Sequence, residues 1–537
     1  GEWVKAINTQ WLWFFGAVGF AVLILACINF INLSTAQSLT RAKEVGVRKS
    51  IGAGRFQLIR QFLTEALILV LFAAVLSIFI SKLALPYIND LTGKQITFDI
   101  WNSPGIIMSL LAGIFLTALL AGIYPAWIIT RFQPASVLKS GSVNANQGTP
   151  LLRKGLVITQ FSISICLLIG LLLIGKQMNY MRHKNLGFDK DNIVMMQIPE
   201  QSSIEKKELF ATELKTIPGV KDWSFSSSPP SGGGHWGTRM SLVGREDPNM
   251  KSVTTIMTDD KFCQVYGLHL KAGRFFTIAD TSAVSRSIPE DLRFPKSVVN
   301  ETLVKELGFA SNEEALGKRF WTGLMGWHAE ITGVVSDFNI ASLHEAIKPT
   351  LITQYIPFAD RVGVKIQAGA DIPGVINQLN TSYKKVFTNG IFEYYFLDQK
   401  LDALYKSEMR LFSLFKIFSV LAMLISCLGL WGLITFAAQQ RVKEIGIRKI
   451  LGASVANLVS MLAKDFMILV CIAIVIAVPL AYWGIHKWLE DFAFRINIGW
   501  TAFLIAGAAA ILIALITVSF QAIRAAIANP VKSLRTE

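Results

Sequence analysis

Seven runs of about 20 apolar residues each constrain this chain of 537 residues more than any other feature. They are roughly Trp11–Leu33, Glu65–Leu85, Gly105–Ile129, Leu156–Ile174, Phe412–Thr435, Phe466–Ile485 and Trp500–Ser519. A helix of that length crosses the hydrocarbon core of a bilayer, where each backbone polar group must be satisfied within the segment. Only 17% of the chain is charged, against roughly 25% in soluble domains. Buried core helices of a soluble enzyme rarely run so long. The first run lacks a basic flank and further runs follow it, so it is not a signal peptide. A multi-pass membrane protein is expected.

The net charge of +15 would suggest nucleic acid, but its location does not. Residues 179–410 carry as many acidic as basic residues, so the whole excess lies in and beside the apolar runs. It is also sided. Thr40–Arg60, Arg131–Lys154 and Arg441–Lys464 are strongly basic, whereas Tyr87–Ser103 and His486–Ile498 are balanced or acidic. Short basic loops stay cytoplasmic. The expected topology puts the three basic loops and the C-terminus inside and residues 179–410 outside. Cys27, Cys166, Cys427 and Cys471 fall in apolar runs as small side chains, and Cys263 alone lies in the outer segment.

One basic phrase is written twice. "RAKEVGVRKSIGA" starts at Arg41 and "RVKEIGIRKILGA" at Arg441, four hundred residues on. Arg41, Lys43, Glu44, Gly46, Arg48, Lys49 and Gly52 recur as Arg441, Lys443, Glu444, Gly446, Arg448, Lys449 and Gly452. Each phrase lies between a descending and a rising apolar run, and a third run follows. Each set closes on a related tail, in which Pro134 pairs with Pro530, Leu138 with Leu534 and Lys139 with Arg535. Two homologous membrane units of parallel topology are expected, residues 1–140 and 411–537. A linker at 141–155, a helix at 156–178 and an outer domain at 179–410 separate them. The first unit lacks an equivalent helix and domain before it, so the sequence is expected to start part-way through a longer chain.

The outer segment reads as an α/β domain. "NIVMMQI", "EITGVVSDF" and "VGVKIQAG" are strands, "SIEKKELFATELKTIPGV" is a helix, and "KSVVNETLVKELGF" joins strand to helix with Asn300 as N-cap. "SSSPPSGGGHWG" (Ser226–Gly237) is expected to be an exposed connector. The six histidines show no metal-ligand spacing, no phosphate-binding loop is written, and Asp337 and Glu345 are expected to be solvated or ion-paired. No catalytic, cofactor or metal site is expected. Asn29, Asn32, Gln160, Ser162 and Ser164 are expected to be helix-packing contacts, which argues against an ion-coupled transporter. Glu65 and Asp465 are expected to favour the helix dipole at the starts of the rising helices.

The repeated phrase is what remains. Glu44→Arg48 and Glu444→Arg448 are i,i+4 pairs that support a short helix. Val45 and Ile51, with Ile445 and Leu451, offer an apolar side; Gly46 and Gly52 permit close approach and a sharp exit; Ser454 and Gly54 precede the rising helices as N-caps. Topology needs charge but not order, so two surfaces in register imply two identical partners, or one symmetric dimer, docking from the cytoplasm.

K-E-[IV]-G-[IV]-R-[KR]-x-[IL]-G-A after a membrane helix, with a closing P-x-x-x-L, resembles the FtsX/MacB-type ABC transporter permeases. The outer segment is similar to that family's periplasmic core domain through "PGV" (Pro218–Val220), "GLHLKAGRFF" (Gly267–Phe276), "VVNETLVKELG" (Val298–Gly308) and "ALGKRF" (Ala315–Phe320). "YPAW" (Tyr124–Trp127) fits the family's last-helix pattern and "SFQAIRAA" (Ser519–Ala526) departs from it. The resemblance implies a permease subunit in a bacterial inner membrane, with no ATP site of its own. A separate cytoplasmic ABC ATPase, in two copies, would bind both phrases as coupling helices. ATP, held by that partner, would drive the outer domain to export or release envelope cargo, with a periplasmic or outer-membrane partner and no nucleic acid. Two such units in one chain would replace a homodimer. A membrane scaffold that regulates a periplasmic partner without transport is the alternative.

Overall fold

The computed structural model describes residues 9–40, 42–92, 95–97, 103–131, 149–200, 202–232, 234–280, 294–323 and 327–527. The tails around Pro134 and Pro530 and the opening residues before Thr9 lie outside them. The chain divides into two compact units, one from Gly1–Gln177, Glu408–Leu489 and Asn497–Glu537, the other from Met178–Ser407 with Glu490–Ile496.

The first unit is helical. It comprises α1 (Thr9–Thr40), α2 (Ala42–Ser50), α3 (Arg55–Thr92), α4 (Pro104–Arg131) and most of α5 (Thr149–His183). After the second unit's elements come α11 (Lys406–Gln440), α12 (Val442–Ile450), α13 (Val455–Leu489) and α14 (Trp500–Ile527). Seven of these, all but α2 and α12, are long and apolar enough to cross a membrane.

Polar groups within the apolar helices are spent on packing. On α5, Gln160 Nε2 donates to Ser426 O at 3.4 Å, and Ser164 Oγ lies 2.6 Å from Ser426 Oγ. Ser162 Oγ donates to Ala473 O at 3.3 Å, which ties α5 to α13 as well as to α11. Gln521 Nε2 on α14 donates to Thr435 Oγ1 on α11 at 2.6 Å. Such bonds in a membrane contribute about 0.6 kcal/mol each. Glycine supplies close contact elsewhere, as where a Cβ on Gly122 of α4 would stand 3.0 Å from Ala66 and Leu63 of α3.

The rising helices begin well before the apolar runs, at Arg55 and Val455. Glu65 and Asp465 therefore sit about three turns inside them, beyond the first turn over which a helix dipole acts. Their role is corrected accordingly: Glu65 accepts from Gln61 Nε2 at 3.3 Å, and Asp465 pairs with Arg441.

The second unit is an α/β domain. In chain order it holds β1 (Ile193–Gln197), α6 (Ile204–Thr216), β2 (Val220–Ser226), β3 (Trp236–Ser241), β4 (Lys251–Thr258), α7 (Phe262–Val265), β5 (Leu270–Gly273) and β6 (Lys296–Asn300). Then follow α8 (Glu301–Glu306), β7 (Arg319–Thr322), β8 (Trp327–Val335), β9 (Thr350–Gln354), β10 (Arg361–Ile366), α9 (Ile372–Val386), β11 (Tyr394–Phe396) and α10 (Leu397–Leu404). The strands run β11-β1-β10-β2-β4-β3-β7-β8-β6-β9, and β9 returns to pair in parallel with β4. The last six strands thus close into a ring, which removes their edges.

Each half has its own core. Val194, Met196, Val362 and Val364 of the flat half pack under Phe210, Leu214, Leu379 and Tyr383 of α6 and α9. Met240, Val253, Val299, Ile331 and Leu351 fill the ring with Leu303 and Val304 of α8. Asn300 caps α8, accepting from Leu303 N at 3.1 Å, and Asp337 accepts from Thr302 N at 2.8 Å. Of Ser226–Gly237, the second half is exposed at Gly234, Trp236 and Gly237 as its composition suggests, but Ser226–Ser231 is not an exposed connector. Ser226, Ser227, Ser228 and Ser231 are buried, because Ser227 continues the pairing with β4 through bonds to both Met257 N and Met257 O.

Residues 490–496, the short link between α13 and α14, belong to this domain. Ala493 N donates to His344 O at 3.2 Å and Phe494 N to Leu343 O at 3.3 Å. The His344 ring stacks on Phe492 with centroids 4.2 Å apart, and Lys184 Nζ sits 3.5 Å over the Phe494 ring. Phe492→Ala is expected to cost the domain about 3 kcal/mol, read as a lower unfolding midpoint of the full chain in detergent.

Asp259 supplies a pH signature. Burial pushes its carboxyl up to about 7, against hydrogen bonds from Ser224 and from the Phe225 and Lys261 N–H groups. The folded domain thus binds this proton more tightly than the unfolded chain, where the pKa is about 3.9. Its stabilising contribution is complete below pH ~4 and is lost as pH rises toward 7. The domain is expected to melt higher at pH 5 than at pH 7.5, and Asp259→Asn is expected to flatten that difference.

Candidate functional site

The repeated phrase folds twice into the same device. The second copy is α12, with Arg441 at its N-cap and Leu451 at its C-cap. Glu444 and Arg448 form the expected i,i+4 ion pair at 2.8 Å. The helix stops through three closing bonds, Leu451 N to Ile447 O, Gly452 N to Lys449 O and Ala453 N to Arg448 O. Gly452 takes φ +87°, a left-handed conformation that costs glycine little and other residues more. Ser454 then caps α13, accepting from Asn457 N at 3.3 Å.

The first copy repeats these bonds one for one. In α2, Ile51 N donates to Val47 O, Gly52 N to Lys49 O and Ala53 N to Arg48 O, with Gly52 at φ +102°. Leu58 N donates to Gly54 O at 3.3 Å as α3 begins. Arg41 lies outside the described residues. Lys43, Glu44 and Gly46 lie on the α2 backbone and Lys443 on that of α12, but their side chains lie outside the described ones, and the expected Glu44–Arg48 pair with them.

Each short helix is braced against the rising helix that follows. Arg48 Nη1 donates to Gln61 Oε1 at 3.0 Å, and Arg448 Nη1 meets Met461 Sδ at 3.0 Å. Arg441 Nη2 adds an ion pair with Asp465 at 3.4 Å. The motif alone did not point to Gln61 or Met461; the signal available was their equal distance beyond each arginine. Partial burial, and then the Arg55 guanidinium, hold the Lys49 ammonium below its ordinary pKa.

The aliphatic residues do not form one side, as the sequence suggested. Val45 turns inward onto Leu58 and Phe62, and Ile445 onto Ala438, Leu458, Leu462 and Ala522. Ile51 and Leu451 point away, 81% and 79% exposed, together with Val47 and Ile447. Close backbone approach is also absent at Gly446, where an added Cβ would meet nothing within 4 Å. At about 100° per residue, the six residues from position 45 to 51 leave them roughly 240° apart around the axis, on different faces. Each device thus presents an exposed aliphatic pair beside two cations, on a helix pinned from behind.

The comparisons with known proteins place these features in a family. The family described as FtsX-like permease C-terminal matches twice, at residues 16–134 and 416–530, each match containing one device. The macrolide export ATP-binding/permease protein MacB of Rhodopirellula baltica is 26% identical over 117 residues, 22% of this chain and 16% of that protein. The uncharacterized ABC transporter permease YknZ of Bacillus subtilis is 26% identical over 126 residues, 23% of this chain and 30% of that protein. The chain thus matches less than a third of the length of each of these relatives. Among solved structures, the periplasmic region of MacB from Actinobacillus actinomycetemcomitans aligns at 15% identity and TM-score 0.29, over 42% of this chain and 97% of that one. Residues 16–134 and 416–530 thus match the FtsX-like permease family, and through them the chain resembles the FtsX/MacB-type ABC transporter permeases.

Gly452→Ala is expected to strain the α12 exit by about 1 kcal/mol. Amides of Leu451–Ala453 would then exchange about fivefold faster in hydrogen-exchange mass spectrometry.

Proposed function

We propose that this chain is the permease subunit of an ABC transporter and that α2 and α12 are the helices through which a separate cytoplasmic ATPase drives it. The carrying observation is that two short cationic helices, braced by equivalent arginines and ended by equivalent left-handed glycines, present the same exposed pair, Val47/Ile51 and Ile447/Leu451. An exposed aliphatic pair flanked by Arg48 and Lys49, or by Arg448 and Lys449, suits a groove with apolar floor and acidic rim. Two such pairs suit two copies of one ATPase.

In this reading the two membrane units are homologous and the chain sits in a bacterial inner membrane. The α/β domain is extracytoplasmic; α2, α12 and the C-terminus are cytoplasmic, where their positive charge belongs. ATP binds only to the partner. Its closure displaces α2 and α12, whose braces pass the displacement to α3 and α13. Movement of α13 and α14 reaches the α/β domain through residues 490–496, and the domain acts on envelope cargo. Relatives named as macrolide export ATP-binding/permease proteins support the transporter class, and the cargo of this chain is a substance or protein of the cell envelope.

Ile51→Glu with Leu451→Glu places charge on both exposed pairs and removes nothing from a core. The double variant is expected to fold normally and to lose at least about tenfold in affinity for the ATPase, with loss of ATPase stimulation. Unchanged stimulation would overturn the proposal.

A further inference from the structure

The helices that lead into the two devices, α1 and α11, meet at positions which the repeated phrase makes equivalent. With Arg41 matched to Arg441, Asn29 matches Gly429 and Asn32 matches Gly432. A Cβ added to Gly429 would stand 2.7 Å from Asn29 Oδ1 and 2.7 Å from Gln160 Nε2. One added to Gly432 would run into the Leu33 side chain. Asn29 therefore occupies the room left by its own counterpart. Two parallel helices related by a two-fold axis touch like against like where they cross. That crossing lies at Asn29 and Gly429, and the Phe15 and Phe418 rings, 6.4 Å apart, meet along the same pair.

The two sides of this crossing are unequal. An amide and an isobutyl group stand on α1, and two glycines stand opposite on α11. Small residues let membrane helices approach closely, and in lipid that approach is most of what holds them. Two α1 helices would set Asn29 against Asn29 and Leu33 against Asn32, forcing the backbones apart. Two α11 helices would set Gly429 against Gly429 at a closer spacing, without the Asn29 amide that fills this seam. Asn32 is fully buried and neither of its polar atoms has a hydrogen-bond partner, and Asn29 Oδ1 has none either. The α1 face thus holds polar groups that glycines opposite can accommodate without meeting their hydrogen-bonding capacity.

We infer that α1 and α11 form an obligately unequal seam, in which α1 is shaped for α11 of its own chain and not for α1 of a second copy. The inference rests on the reading of two homologous units and is independent of ATPase docking. Its consequence is selectivity: α1 pairs with α11 of its own chain, and neither helix can replace the other at this seam.

The test uses the full chain with Cys27, Cys166, Cys263, Cys427 and Cys471 replaced by alanine or serine. Asn29→Cys with Gly429→Cys is expected to oxidise within one chain, at least about tenfold over any covalent dimer, because the tethered partner outcompetes a second molecule. Asn29→Cys alone is expected to give no dimer. Dimers as the main product of either variant would overturn the inference. In a second arm, Gly429→Leu is expected to lower the melting temperature in detergent, and adding Asn29→Gly to restore at least half of the loss. Absence of any restoration would also overturn it. Failure of the homology reading would show separately, as no cross-link of either kind at Asn29→Cys/Gly429→Cys, because the two positions would then not meet.

Discussion

Hydrocarbon offers no hydrogen bonds, and the chain answers that constraint in two ways. Along the apolar helices, polar side chains are turned onto neighbours, as Ser164 is onto Ser426 and Gln521 onto Thr435. At the helix ends, where water returns, the chain must reverse with its backbone groups satisfied. The turns at Gly52 and Gly452 do this with the same three bonds each. Because these turns are closed by hydrogen bonds, α2 and α12 end in defined turns rather than open loops. The proposed transmission of force depends on that closure.

From these two helices a continuous physical path can be followed. Arg448 reaches Met461 and Arg48 reaches Gln61, so each short helix leans on the rising helix after it. In the second half that rising helix, α13, ends at Leu489, and the next seven residues are bound into the α/β domain by main-chain bonds to Leu343 and His344. The chain thus passes directly from α13 into residues held by the α/β domain. Phe492 under His344 and Phe494 under Lys184 add aromatic contacts to those main-chain bonds.

Much of this was legible in the sequence, for reasons that differ by element. Seven membrane helices follow from run length alone, and β1, α6, β10 and the Asn300 cap follow from local pattern. The helical device followed from Glu444 and Arg448 at i,i+4 and from the glycine after it. What local pattern misassigned was decided at longer range. Glu65 and Asp465 looked like helix starts because apolar character begins there, but the helices start at Arg55 and Val455, directly after the Gly54 and Ser454 that the sequence offers as caps. Ser226–Ser231 has the composition of an open loop, and β4 buries it. Residues 490–496 look like a plain turn between spans; their partners lie near residue 343, and nothing in either segment announces the other. Asn29 and Gly429 acquire meaning only when repeat alignment and three-dimensional contact are known together.

The central claim is that one chain carries two equivalent seats for a separate ATPase. Native mass spectrometry of the detergent-extracted complex, purified through a tag on this chain, measures it most directly. The account predicts two ATPase copies per permease chain, falling to one when only the α2 pair or only the α12 pair is altered by Ile51→Glu or Leu451→Glu. A complex with a single ATPase, or with two ATPase copies that survive both substitutions together, would contradict it.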